Sequence, residues 1–484
     1  MWRWLVMVMV GTGLLSGGAV GAQGQDWAGY EMGEPVVTDI YVSPEGDDGQ
    51  DGMSVETALR TVEAAWQRIP MGSELVGTGY RVLLMPGVYA AEDVPGYMEA
   101  RYGTAEYPVI FEAAQGPNTA YLPSLNIYDV RYMYFLNINI EVGTDAFHCE
   151  RCDHVLVRGS RFVGAEPETY NTQETVKVNQ SAHIYFEGND ISGAWDNAVD
   201  FVAVQYGHFY GNQIHNAGDW CMYLKGGSAG FEVAHNRLYD CGTGGFTAGQ
   251  GTGFQFMVEP WLQYEAYDIR FTQNVVHDTQ GAGVGVQGGH NILIAENVFY
   301  RVGERSHVME FGFGGRSCDG QPGDEGRERC ELYREAGGWG NSAVADGVNY
   351  VRIPNRNVYV YNNVLYNPAG YQSGYQQFFI PEAFTGVEQA DSNAPDPALA
   401  DDNLQIRGNV IWNGGAEMPL GIEGGADFPA GCQMENPTCN RAQLLADNAI
   451  NVFEPRLADP ANGDYGVVDA GGYGGLAIPA FEGA

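Results

Sequence analysis

The chain has 484 residues, a net charge of −37, 68 glycines, and 29 tyrosines with 21 phenylalanines. That acidity disfavours nucleic acid and anionic membrane surfaces as partners, and the glycine and aromatic content favours an all-β chain with many turns. Its cations are uneven, with only two lysines, Lys177 and Lys225, among the 24 lysines and arginines.

In chain order, residues 1–22 read as a secretory signal, with Arg3, an apolar run from Leu5 to Leu15, and Val20-Gly21-Ala22 as the cleavage site. The apolar run is short for a membrane span, and no later segment is a candidate. The expectation is therefore export, to the periplasm or outside the cell. Residues 23–38 read as a linker, 39–130 as an N-terminal cap with the first coils, 131–425 as repeats and 426–484 as a C-terminal cover. A helix is predicted from Ser54, its N-cap, with Val55, Leu59, Val62, Trp66 and Ile69 as its apolar stripe. The acidic turn Asp47–Asp51 has two readings, a plain turn or a calcium loop, although it lacks the EF-hand pattern.

Self-similarity with a period near 23 residues follows. Aligned on Asn189, Asn212, Asn236, Asn274, Asn297, Asn363 and Asn409, the chain places apolar residues five and three before the asparagine and two after it, with Ser160 in the asparagine place of an earlier turn. The asparagine suits a turn where its amide bonds the backbone and its copies in adjacent coils. A further strand follows, with inward pairs Val199/Phe201, Met222/Leu224, Phe246/Ala248 and Val284/Val286. No such unit can bury its apolar face alone, so the units must stack.

This pattern resembles the right-handed parallel β-helix (pectin-lyase-like) superfamily over roughly Asp39 to the C-terminus. The entry segment Tyr41–Gly49, the helix, and Met85-Pro86-Gly87-Val88-Tyr89 resemble that superfamily's entry module. The resemblance implies an all-β solenoid whose N-terminal helix covers the open end. Insertions at 250–265, 313–355 and 381–402 then stand as long loops along one edge, making a groove with the adjacent sheet.

Eight cysteines in an exported chain suggest disulfides, and they fall in local pairs: Cys149/Cys152, Cys221/Cys241, Cys318/Cys330 and Cys432/Cys439. A metal reading of Cys149-x-x-Cys152 lacks a second C-x-x-C.

The repeat frame predicts one outward row His148, Lys177, Asp200, Tyr223, Thr247, Gly285 and Glu310, and a second of Asn179, Val202, Lys225, Gly249 and Gln287. The two lysines thus face the same way two rungs apart, roughly 10 Å at the spacing of adjacent strands. Elimination from a uronic-acid polysaccharide needs a base, a group that neutralises the carboxylate, and an acid for the leaving oxygen. Lysine can be the base. Tyr223 or His148 would be the acid, and Asp200 would bind Ca²⁺, orient a lysine or hold substrate hydroxyls. Asn179, Gln287, Glu310 and the loop residue Trp261 would contact sugar. Each has a structural reading beside the functional one: the lysines as ion-pair partners of Asp200, Trp261 as loop packing, His148 as a loop-shaping residue.

Tyr223-Leu224-Lys225-Gly226-Gly227-Ser228 with Asn236 is similar to the lysine strand of β-helical alginate lyases and chondroitinase B. That likeness implies a polysaccharide lyase acting on an anionic glycan, and a monomer is expected. In those families an arginine follows in the next coil. Here Phe246-Thr247-Ala248-Gly249-Gln250 carries none, and Lys177 is the candidate replacement. The polygalacturonase, classical pectate lyase and mannuronan epimerase motifs are absent. The alternative function is a non-catalytic carbohydrate-binding or structural β-helix.

Overall fold

The computed structural model describes residues 28–319, 321, 323–341, 351–386, 389, 392–414, 418–423 and 430–471. The proposed signal segment lies outside them, and no described helix is long and apolar enough to cross a membrane.

Three long parallel sheets run the length of the molecule, one of ten strands and two of twelve. One coil takes a strand from each in turn: Val176–Asn179 in the ten-stranded front sheet, Ala182–Glu187 in the second, Asp190–Ala194 in the third. This is a right-handed parallel β-helix. The residues two after each asparagine belong to the third sheet, a set of short strands where the repeat pattern predicts only a turn.

Inward residues stack into apolar columns. Phe111 lies 5.6 Å from Phe135, and Phe186 lies 5.2 Å from Phe209, both stacked face on. Between the second and third sheets the asparagines form a buried ladder. The Asn189 backbone N–H and side-chain amide both donate to Asn212 Oδ1, at 3.0 and 2.9 Å, and Asn212 repeats this onto Asn236. Ser160 occupies the expected place, its N–H donating to Asn189 Oδ1 at 2.9 Å. Asn448, unforeseen, extends the ladder by accepting from Asn409. The bend exposes backbone groups to a dry interior, and the amides satisfy them.

The N-terminal helix is shorter than expected, Val62–Trp66, and its N-cap is Thr61, whose hydroxyl accepts from Ala64 N. Ser54 and Val55 lie outside it, and Leu59 instead bridges Val42. Leu59, Val62, Trp66 and Ile69 still enter the core. Asp48 accepts from the N–H groups of Arg60 and Thr61 at 2.8 Å, and Asp47 and Asp51 accept from Gly49 and Met53. The acidic turn therefore spends carboxylate oxygens on its own backbone.

Within the expected linker, Tyr30 is anchored, its ring stacked 4.4 Å from Tyr185. At the C-terminal end, Leu444, Cys432 and Cys439 join the core. The hairpin Arg456–Asp459 with Asp464–Asp469 lays Tyr465 on His277, ring centroids 4.6 Å apart. All four expected disulfides are present, joining Cys149 to Cys152, Cys221 to Cys241, Cys318 to Cys330 and Cys432 to Cys439.

The insertions meet along one edge. Gly251–Gly253, Gly314–Ser317 and Val351–Ile353 form a three-stranded sheet, and the helix Glu325–Glu335 is tied to it through Cys318–Cys330. Arg316 holds this wall together from complete burial. It pairs with Glu265 and donates to the carbonyls of Leu262, Gln263 and Trp339.

Candidate functional site

The front-sheet register runs His148, Lys177, Asp200, Tyr223, Thr247, Gly285 and Glu310 on consecutive rungs. Its inward pairs, including Val199/Phe201 and Met222/Leu224, are fully buried, so this row faces outward, between the sheet and the loop wall. The wall is bolted to the floor beside Lys225. Gly226 and Gly227 turn the chain with φ of +65° and +84°, the left-handed region glycine enters without strain. Gly226 N–H donates to Glu265 Oε2 at 3.0 Å, the carboxylate that also holds Arg316. A Cβ at Gly227 would lie 2.3 Å from the Trp261 carbonyl oxygen.

Between floor and wall is a cavity of about 620 Å³. Lys177, Asp200, Tyr223 and Lys225 line it from the sheet. Glu174, Asp196 and Asp219 line it from the turns preceding those strands, and Arg151, Gln250, Phe256 and Arg329 also border it.

Lys177 Nζ donates to Glu174 Oε2 at 2.9 Å and to Asp200 Oδ2 at 3.1 Å. Burial works against its charge, but Asp200 and Glu174 outweigh burial and hold its pKa above the ordinary lysine value. Lys177 is thus an ion-paired ammonium, a state that suits a cation and not a base with lowered pKa. Burial would raise the Asp200 carboxyl, but Lys225 and then Lys177 keep it below its usual range. Glu174 takes the opposite state: burial and then the Asp200 charge push its carboxyl up to about 7. Both carboxyls meet at the Lys177 ammonium, Glu174 through Oε2 and Asp200 through Oδ2.

Lys225 Nζ donates to Tyr223 Oη at 3.0 Å, approaches Gln250 Oε1 at 3.4 Å and sits 4.2 Å from the Tyr223 ring centroid. Among the described residues no carboxylate lies within ion-pair distance of it. Burial, then Asp200, keeps the Tyr223 phenol protonated, well above its ordinary pKa. Asp196 is raised by burial and by Asp219, and Asp219 chiefly by burial.

The other expected site residues divide. Asn179 lines the cavity and its amide contacts His148 Nε2 at 3.2 Å, so His148 borders the site through Asn179, with its pKa lowered by burial. Gln287 and Glu310 are in register farther along the sheet and do not line the cavity. Glu310 instead contacts Ser306 Oγ at 2.5 Å. Trp261 points elsewhere, packing edge-on against Tyr267 at 5.1 Å and lining a separate cavity of about 340 Å³ on the second sheet, beside Tyr206 and Arg270. The Trp261 backbone packs against Gly227, a contact that no sequence spacing could have indicated. Asp200 is a poor Ca²⁺ ligand, because Lys177 occupies one oxygen and the side chain is buried, whereas Ca²⁺ takes six to eight oxygens.

Glu174, Asp196, Asp219 and Gln250 were not picked out from sequence. Asp196 and Asp219 stand one 23-residue period apart, so the repeat itself carried that signal.

A family model described as "Right handed beta helix region" matches residues 125–260. No curated protein matches the chain. Among solved structures, a rhamnogalacturonan lyase is 11% identical and covers 77% of this chain and 87% of its own, with a TM-score of 0.39. The A-module of an Azotobacter vinelandii mannuronan C-5 epimerase is 12% identical, covers 69% and 85%, and has a TM-score of 0.40. The Streptococcus pneumoniae surface adhesin PfbA is 11% identical, covers 53% and 83%, and has a TM-score of 0.31.

Proposed function

We propose that the chain is an exported carbohydrate-active β-helix that cleaves a uronic-acid-containing polysaccharide by β-elimination in the front-sheet cavity. The observation that supports this best is Glu174, a carboxyl that keeps its proton to about 7 beside an ionised Asp200. Such a group suits donation to a glycosidic oxygen near neutral pH. Lys225, with no carboxylate partner among the described residues, neutralises the uronate carboxylate and so acidifies the neighbouring C–H. Asp196 or Asp219, desolvated and therefore more basic than an ordinary carboxylate, takes that proton. The C–H electron pair becomes the new double bond, the bond to the leaving oxygen breaks, and that oxygen takes the Glu174 proton. Lys177 holds Asp200 and Glu174 in place.

A second reading is hydrolysis, favoured by the raised pair Asp196 and Asp219, either of which could activate water opposite Glu174. One experiment separates the two. The purified protein is incubated with alginate, pectate, chondroitin and neutral glycans, following the ultraviolet absorbance of an unsaturated uronate alongside reducing ends. Both signals rising together supports elimination, and reducing ends alone supports hydrolysis. Neither signal on any substrate removes the enzymatic reading and leaves a carbohydrate-binding or structural β-helix.

A further inference from the structure

The corner where the chain passes from the front sheet to the second sheet repeats an unusual conformation. Tyr132, His154, His183 and Tyr206 occupy it in four successive coils, with φ of 49°, 55°, 55° and 62°. Because these left-handed corners stack in register, their rings stack too. Tyr132 lies 4.2 Å from His154, His154 lies 4.2 Å from His183, and His183 lies 5.5 Å from Tyr206, with interplanar angles of 14°, 24° and 22°. The imidazoles are thus held between two tyrosines. Asp153, which pairs with Ala182 in the next coil, brings one oxygen to both of them. Asp153 Oδ1 is 2.9 Å from His154 Nδ1 and 2.8 Å from His183 Nδ1.

From this geometry we propose that Asp153, His154 and His183 form a binding site for a divalent transition-metal ion. Their three donor atoms lie within 4.8 Å of one another. Three ligands around a tetrahedral ion, at bond lengths of about 2.0–2.2 Å, have donor atoms roughly 3.5 Å apart. Because an ion lies in the plane of each imidazole it binds and these planes are only 24° apart, one ring must tilt out of the stack to complete the site. Two imidazoles and one carboxylate suit Zn²⁺, Ni²⁺ or Cu²⁺ and not Ca²⁺, which takes a full oxygen shell. Three protein ligands leave a fourth position for water or another ligand. The flanking tyrosines keep both imidazoles at the corner beside Asp153. The side chains are 42%, 22% and 37% exposed for Asp153, His154 and His183, so an ion can enter from solvent. None of the three lines the front-sheet cavity, so this site stands independently of the proposed cleavage reaction.

The test uses the chelator-stripped mature chain without a histidine tag. Calorimetric titration with Zn²⁺ should show one saturable site, and Cu²⁺ at that site should give an electron paramagnetic resonance spectrum with coupling to two nitrogens. Asp153→Asn and His183→Ala should each weaken Zn²⁺ binding by at least about tenfold, and His183→Ala should reduce the Cu²⁺ coupling to one nitrogen. Circular dichroism of both variants without metal should match the parent. Should either variant alter that spectrum, the conservative His183→Gln is titrated, and it too should lose the site. Absence of saturable Zn²⁺ binding, or unchanged affinity in the folded variants, would overturn the assignment.

Discussion

Glu174→Gln tests the electrostatics of the cavity, because glutamine copies the protonated acid in shape and charge. In the fold Glu174 titrates at about 7, against 4.5 for the free side chain. That difference favours the protonated form in the folded state by about 3 kcal/mol. The folded-state value is raised, so this stabilisation is complete below the unfolded value and is lost as pH rises through the folded one. At about pH 4, below the unfolded value, the parent and the variant should differ little in stability. By about pH 9 the parent carries an ionised carboxylate against Asp200, and the variant should be the more stable by about 3 kcal/mol. Urea unfolding of both proteins across that range, with Lys177 present in each, measures the difference. A difference that stays flat with pH would refute the claim that Glu174 holds its proton in the fold.

Other predictions follow from the frame around the cavity. Asn236→Ala removes the acceptor for the Asn212 N–H and side-chain amide and the donor to Phe209 O. Two or more buried groups lose partners at about 1–3 kcal/mol each, which thermal unfolding should register as a loss of several kcal/mol. Arg316→Met removes the cationic partner of Glu265 at complete burial. It should cost about 3–5 kcal/mol and expose the wall to limited proteolysis before the coils unfold. Lys225→Met should abolish turnover of a uronate substrate, whereas Trp261→Ala, outside the cavity, should leave turnover within about twofold of the parent, a change under 1 kcal/mol.

Much of the fold was legible because a solenoid repeats its constraints. The asparagine ladder, the inward columns and the order His148, Lys177, Asp200, Tyr223 all follow from a period that sequence displays directly. A register error of one residue would have turned the row inward, so the alternation of Val199/Phe201 and Met222/Leu224 fixed which residues face out. Legibility failed where the chain leaves the repeat. The direction of the Trp261 loop depends on Gly227 packing and on the buried Arg316–Glu265 pair, contacts between distant segments. The helix start moved from Ser54 to Val62 because Leu59 is claimed by a bridge to Val42. The partners of Lys177 are only half legible for a related reason. The row supplies Asp200, whereas Glu174 approaches from the turn before the strand, outside the repeat. The disulfides, by contrast, were readable because each joins near neighbours in sequence.

The central claim is that Glu174 is the proton donor of a glycan-cleaving site, and the pH dependence of turnover on a cleaved uronate substrate tests it most directly. The account predicts that the parent loses activity as pH rises through about 7, the value at which Glu174 gives up its proton, and that Glu174→Gln is inactive at every pH while remaining folded. Full activity in folded Glu174→Gln, or a parent profile with no loss through that range, would contradict it.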